Sequence, residues 1–341
     1  TLETDPGDSS AGDVEYYVGG AVTLDEGIDN IFNGGILQNG EVLWIKADGI
    51  YERATQLTIS VDGTADKIKG ISGYSSIIGD NGRAEIKYTG SSLDYFLYNS
   101  RNYISIRNLI LDGNNNITNS GARSVSYYSF PFINMEVKNC VTGFFGFAMN
   151  CVAHDNTTGF ASSYFINCLS YNNATGYEKG VMLNCIACNN TNIGFNVRES
   201  SFILNCIAYG NPIGIYMIRV VTIINTIIAN STTYGIQSYY NATNSKFFNN
   251  NLHNIAFYNN NADINNNMSY DDIDTYYIID PQFKDPDNFD FTRAGDNLSD
   301  KGFSTVGLLD NPVDYNIDIG IDQMKIPDFP SENDVRENVD Y

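Results

Sequence analysis

Apolar residues in this chain come in runs of three to five or alternate with polar ones, and no window of twelve keeps a helical period. The clearest alternation is Tyr103-Ile104-Ser105-Ile106-Arg107. Phe202-Ile203-Leu204, Cys206-Ile207-Ala208, Val220 to Ile224 and Thr226-Ile227-Ile228 are apolar runs cut by asparagine or threonine. Such patterns predict short strands. Further strands are expected at Val42 to Lys46, Leu57 to Val61, Ile68 to Ile71, Ile77-Ile78 and Ala84 to Tyr88. One helix is predicted, over residues 23–33. Thr23 and Glu26 have capping-box spacing, Leu24, Ile28, Ile31 and Phe32 share a face, and Gly34-Gly35 ends it.

A repeat organises the strands. Asn-Cys recurs as Asn139-Cys140, Asn150-Cys151, Asn167-Cys168, Asn184-Cys185 and Asn205-Cys206, and Asn225-Thr226 and Asn244-Ser245 continue it. The steps are 11, 17, 17, 21, 20 and 19 residues, so the rung holding Asn139 is irregular. A second marker runs in phase, each copy 9 or 10 residues after its Asn, from Asn150 to Asn225: Gly159-Phe160, Gly176-Tyr177, Gly194-Phe195, Gly214-Ile215 and Gly235-Ile236. A helix-free repeat of this length fits a parallel β-helix, whose rungs stack ~4.8 Å apart. In-register stacking lets asparagine amides hydrogen-bond from rung to rung, and asparagine tolerates the left-handed backbone of sharp corners. Phe160, Tyr177 and Phe195 are then expected to stack, filling the interior or lining one face. A short helix before the first rung would cover the open end of the core.

Stacked cysteines would have parallel Cβ vectors ~4.8 Å apart, beyond the ~3.5–4.5 Å of a disulfide. They read as small core residues, Cys185 and Cys188 included. Asparagine is abundant, 45 of 341 residues, and histidine is limited to His154 and His253, which leaves little for a histidine triad or zinc site. The net charge of −21 disfavours nucleic acid, and no apolar run reaches membrane-span length. The chain starts at Thr1 without an initiator Met or a signal-peptide pattern, a start consistent with removal of a leader. Residues 1–15 read as a flexible acidic arm, 16–270 as the solenoid, and 271–341 as a closing cap and exit linker.

Gly40 to Tyr51 resembles the usual first rung of the right-handed parallel β-helix, or pectate-lyase-like, superfamily. Ile104-Ser105-Ile106-Arg107-Asn108-Leu109 is similar to its commonest rung. Asp280-Pro281-Gln282-Phe283, Asp290-Phe291 and Asn316-Ile317-Asp318-Ile319-Gly320 resemble the C-terminal end of secreted bacterial and phage members. Pro330 to Tyr341 resembles a linker of modular virion and surface proteins, with Asn338 where that linker has Gly. The resemblance implies an all-β, right-handed parallel β-helix with an N-terminal capping helix and an irregular C-terminal cap. It leaves function open, because the superfamily holds lyases, hydrolases, epimerases, tailspikes and inert fibres.

Lyases of this fold need a basic residue and calcium-binding acids, and hydrolases need paired carboxylates. The repeat region offers Asp155, Glu178, Lys179, Arg198, Glu199 and Arg219. Of these, Glu178, Arg198, Glu199 and Asp155 are the catalytic candidates, set against the plainer reading of solvent-facing pairs. Asp271, Asp272 and Asp274, with Asp285, Asp287 and Asp290, are the calcium candidates, though neither cluster has an EF-hand pattern. The functional expectation is a structural or adhesive phage virion protein (tail spike, fibre or capsid decoration) that contacts host glycans at the virion surface. The alternative is a secreted or cell-surface polysaccharide lyase or glycoside hydrolase. With 24 Tyr, and neighbours such as Tyr127-Tyr128, Tyr239-Tyr240 and Tyr276-Tyr277 that cannot all face inward, one face is expected to pack as a homotrimer, against a virion partner, or on sugar.

Overall fold

The computed structural model describes residues 23–125, 130–198, 201–219, 221–239 and 280–293, with strand segments at 16–18, 245–248, 250–253, 257–259 and 276–277. The acidic arm, Glu199, Asp271, Asp272, Asp274 and the exit linker lie outside the described residues, as do the side chains of the three tyrosine pairs.

The strands pair parallel, each with a strand about one turn further along. Val42–Lys46 pairs with Lys69–Tyr74, which pairs with Ile104–Arg107. Ile50–Arg53 pairs with Ala84–Tyr88, and Leu57–Ile59 with Leu93–Asn99. Each turn thus supplies one strand to each of three sheets. Two compact units result, one ending at Asn156 and one beginning at Thr157.

Asparagine makes the corners. Asn108, Asn134, Asn150, Asn167, Asn184, Asn205 and Asn225 all have left-handed backbones, φ 50–58°, which a short polar side chain tolerates best. Their amides continue the ladder across the corner, as from Asn184 to the Leu204 carbonyl at 3.0 Å. Two positions of the expected series change. Glu136 pairs with Val152, which sets Asn134, not Asn139, level with Asn150. Asn139 turns the next corner, beside Asp155. Thr222 pairs with Lys246, so Ser245 lies beside Val221. The residue opposite Thr226 is Asn250, whose Oδ1 accepts from the Thr226 amide at 2.9 Å. Side-chain amide bonds join Asn134 to Asn108 in this column and run on through a different one in the second unit, where Asn173 Nδ2 donates to Asn190 Oδ1 (3.3 Å) and Asn190 Nδ2 to Asn211 Oδ1 (3.0 Å).

The residue after each corner points inward. Cys168, Cys185 and Cys206 are buried, and their thiols donate to the carbonyls of Ile166, Leu183 and Leu204 at 3.3–3.4 Å. Thr226 makes the same bond to Ile224 at 3.1 Å, so a hydroxyl replaces the thiol without loss of the contact. All six cysteines are free and buried. Beside them Phe160, Tyr177 and Phe195 stack at 4.9 Å spacing inside the second unit, none of them exposed. The adjacent glycines permit this approach: a Cβ on Gly159 would lie 2.6 Å from the Gly176 carbonyl oxygen, and one on Gly176 2.5 Å from that of Gly194.

Ile77-Ile78 is not a strand. It belongs to a loop gathered by Asp80, whose carboxylate accepts from the amides of Ser75, Ser76, Ile77 and Gly82 and from both serine hydroxyls. The helix forms as a π-helix, Glu26–Phe32. Thr23 Oγ1 accepts from the Glu26 amide, and Glu26 Oε2 from the Thr23 amide, at 3.2 and 3.0 Å. Leu24, Ile28 and Phe32 are buried. The wider π winding leaves Ile31 half-buried rather than on that face. Arg53 ties the helix to the first unit, reaching Asp25, Asp29 and the carbonyls of Thr55 and Gln56.

In the second unit one sheet is apolar on both faces. Ser170, Ala187 and Ala208 face the core, while Leu169, Ile186 and Ile207 on the outer side are also buried. An antiparallel hairpin, Phe283–Asp285 with Asp290–Arg293, packs on that outer face. Phe289 meets Tyr171 at 4.5 Å between ring centroids, and Phe283 and Phe291 meet Tyr209 at 5.7 and 5.6 Å. No helix among the described residues is long and apolar enough to cross a membrane.

Candidate functional site

Of the residues singled out by sequence, Glu178 and Arg198 come together. Glu178 belongs to an outward row with Ala161, Asn196, Tyr216 and Gln237. Arg198 Nη2 donates to Glu178 Oε1 at 2.8 Å, with both side chains well exposed, 50% and 33%. An exposed pair of this kind is worth ~0–1 kcal/mol. Lys179 and Arg219 have left-handed backbones, φ 53° and 84°, and serve the corner. Asp155 belongs to the first unit and is also a corner residue, φ 54°. Asp285, Asp287 and Asp290 line the tip of the hairpin, where Asp285 accepts from Asn288 at 2.8 Å. They do not converge, and among the described residues no three acidic, histidine or cysteine side chains could hold a metal ion.

A second charged region lies on the outer face of the first unit. Ile86, Leu111, Val137 and Ala153 are in register and face the core. Their neighbours face outward by strand alternation, so Lys87, Asp112, Lys138 and His154 form one row, and Glu85, Ile110, Glu136 and Val152 another. Lys138 pairs with Glu85 at 3.1 Å, Arg83 with Glu136 at 3.2 Å, and Asn139 donates to Asp112 at 2.8 Å. His154 bridges two carboxylates, Glu136 through Nε2 at 3.1 Å and Asp155 through Nδ1 at 2.7 Å. Arg83 also donates to Asn134 Oδ1, Asn134 to Asn108 Oδ1 at 2.7 Å, and Asn108 to Ser72 at 2.9 Å.

Burial opposes each charge here, yet the partners win. Burial alone would lower Lys138, but Glu85, Glu136 and Asp112 hold its pKa above the ordinary lysine value. Burial would lower His154, but Glu136 and Asp155 raise it. Burial would raise Glu136, but His154, Arg83 and Lys138 lower it. His154 is one of two histidines that composition alone sets aside. What conceals the cluster in the sequence is uneven rung length, since the strands starting at Ala84, Leu109, Glu136 and Val152 share no common step.

A third feature combines aromatic rings with a cation. Tyr98, Arg123 and Phe145 are in register on successive rungs of the first unit. The Arg123 guanidinium carbon lies 4.7 Å from the Tyr95 ring centroid and 4.4 Å from that of Phe145. Tyr95 stacks on Tyr98 at 5.5 Å. Each such contact is worth about 0.5–1 kcal/mol near the surface. Arg123 Nε is buried with no hydrogen-bond partner, and no carboxylate among the described residues pairs with Arg123.

No family model matches the sequence, and no curated protein is similar to it. Solved structures are similar in fold. The A-module of mannuronan C-5 epimerase AlgE4 from Azotobacter vinelandii superposes with a TM-score of 0.52 at 20% identity, over 67% of this chain and 72% of that one. Pectate lyase Pel9A gives 0.49 at 14% identity, over 85% and 90%. Tailspike protein 3 of bacteriophage CBA120 gives 0.46 at 10% identity, over 71% and 50%. The AlgE4 A-module shares with this chain the winding of the backbone, and the chain has the right-handed parallel β-helix fold.

Proposed function

We propose that this chain is a structural, adhesive β-helix protein that contacts glycans through its outer faces, with a phage virion surface as its setting. The observation that carries this reading is the state of the charged strip. A lyase base needs a free lone pair, and a general acid needs a proton to give near working pH. Here Lys138 and His154 are held toward their protonated forms and Glu136 toward its ionised form. Arg83, Lys138 and His154 are each paired with a carboxylate of the chain itself. Lys138 and His154 so held have no free lone pair to act as a base, and their protons are already engaged by carboxylates of the chain.

The virion setting is supported by the linker-like segment Pro330 to Tyr341. Packing against a virion partner or in a homotrimer is supported by Tyr164, 59% exposed on an outer strand face. The test is incubation with acidic and neutral polysaccharides, reading the ultraviolet absorbance of unsaturated products and the release of reducing ends, alongside retention of the protein on the same glycans. Retention without turnover is expected. Turnover lost in Glu136→Gln or His154→Gln would replace this reading with a lyase or hydrolase secreted or displayed at a cell surface.

A further inference from the structure

Several cations of the first unit have carboxylate partners. Arg53 reaches Asp25 and Asp29, Arg83 reaches Glu136, Lys138 reaches Glu85, and Arg101 reaches Asp62. Arg123 departs from this. It is half-buried between the rings of Tyr95 and Phe145, its Nε lacks a partner, and no acidic side chain among the described residues approaches it.

The geometry determines what such a group accepts. All five guanidinium N–H bonds lie in the plane of the group. The Tyr95 and Phe145 rings lie 4.7 and 4.4 Å from the guanidinium carbon, and the N–H edge is the part of the group that offers hydrogen bonds to a ligand. A planar anion with two oxygens matches that edge by a pair of parallel hydrogen bonds. The rings also strip water from the faces, which strengthens any bond made at the edge.

We infer that Arg123, clamped between Tyr95 and Phe145 beside Tyr98, is a subsite for the carboxylate of an acidic sugar within a sparsely charged glycan. This deepens the glycan-binding reading above and rests on it. The restriction to sparse charge follows from the net charge of −21. A dense polyuronate meets long-range repulsion over its whole length, whereas one carboxylate set among neutral sugars meets a single local attraction.

The test uses the whole protein and three probes in calorimetric titration: sialyllactose, its carboxamide, and polygalacturonate of matched chain length. Sialyllactose is expected to bind at least tenfold more tightly than its carboxamide, and more tightly per chain than polygalacturonate. Arg123→Met keeps the packing between the rings without the charge, and should erase the preference for the acid, weakening binding of the acid more than that of the carboxamide. Arg123→Lys keeps the charge but lacks the planar fork, and should retain only part of the preference. Equal binding of acid and amide, a preference that survives Arg123→Met, or tighter binding of polygalacturonate would overturn this inference while leaving glycan adhesion standing. Absence of binding to any glycan, neutral ones included, would overturn both.

Discussion

The Tyr177 hydroxyl donates a 2.6 Å hydrogen bond to the carbonyl oxygen of Cys168, from within a stack where neither residue is exposed. Burial, with the neighbouring thiols, keeps the phenol neutral far above its ordinary pKa. Tyr177→Phe leaves the ring stack intact and removes one bond from an acceptor that keeps its ladder bond from the Ile186 amide, so a loss of about 0.5–1.5 kcal/mol is expected. Tyr177→Ala opens a cavity between Phe160 and Phe195 as well and should cost about 3–5 kcal/mol. Urea titrations of the two variants would check the order: no loss in Tyr177→Phe would show that the hydroxyl contributes nothing, and equal losses that the ring contributes nothing.

The strip at His154 sets a pH window. The folded pKa of His154 is raised, so its contribution is complete below the unfolded value of about 6.5 and is lost as pH rises through the folded one. The folded pKa of Glu136 is lowered, so its contribution is complete above about 4.5 and is lost as pH falls through the folded one. Stability from this network should therefore peak between those limits. Melting temperatures across pH should show the alkaline decline flattened in His154→Gln.

Arg53 is buried, with its side chain 4% exposed, while Asp25 and Asp29 remain well exposed at 69% and 54%. Much of the gain from these pairs is screened by solvent, and the bonds to the Thr55 and Gln56 carbonyls carry the rest. Arg53→Met should cost about 1–3 kcal/mol. It should also speed hydrogen exchange selectively at the amides of residues 26–33, where mass spectrometry would localise it. Uniform acceleration throughout the chain would contradict this local role.

Phe291, from the second strand of the hairpin, is fully buried against Tyr209, and Cys188, in register between Tyr171 and Tyr209, is equally hidden on the face that the hairpin covers. Phe291→Ala is expected to cost about 3–5 kcal/mol and to make Cys188 reactive toward a thiol reagent. Cys168 faces the core and should stay protected. Labelling of both at one rate would mean global unfolding rather than release of the hairpin.

The strands and the helical fold were legible because their signals are local. Asn184-Cys185 announces a corner and an inward residue whatever the rest of the chain does. Asn139 misled because a second corner also selects asparagine, and only pairing with a neighbouring rung distinguishes the two. Asn244-Ser245 misled in the same way, since a longer rung carries Asn250 to the matching place. The capping box at Thr23 was readable, but the π winding that turns Ile31 aside was not, because it depends on what the helix packs against. Glu178 and Arg198 stood out as charges among apolar residues, whereas Arg123 and His154 owe their surroundings to rungs distant in sequence. The hairpin at 283–293 explains why Leu169, Ile186 and Ile207 are apolar on a side expected to meet water.

The corner built by Asn108, Asn134 and Asn150 in the first unit is a single residue wide although its members lie 26 and 16 residues apart, and so is the one built by Asn167, Asn184, Asn205 and Asn225 in the second, with members 17, 21 and 20 residues apart. All variation in rung length is therefore accommodated at the other two corners. The asparagine column acts like the spine of a bound book, fixing where each page attaches while the opposite edges are trimmed to different sizes. New sequence can be spliced in along those free edges without shifting the register of a neighbouring rung. An insertion next to a spine asparagine would displace a strand pairing and the inward residue that follows it. Recognition loops of changing length thus have a place to diversify while the scaffold beneath them stays constant.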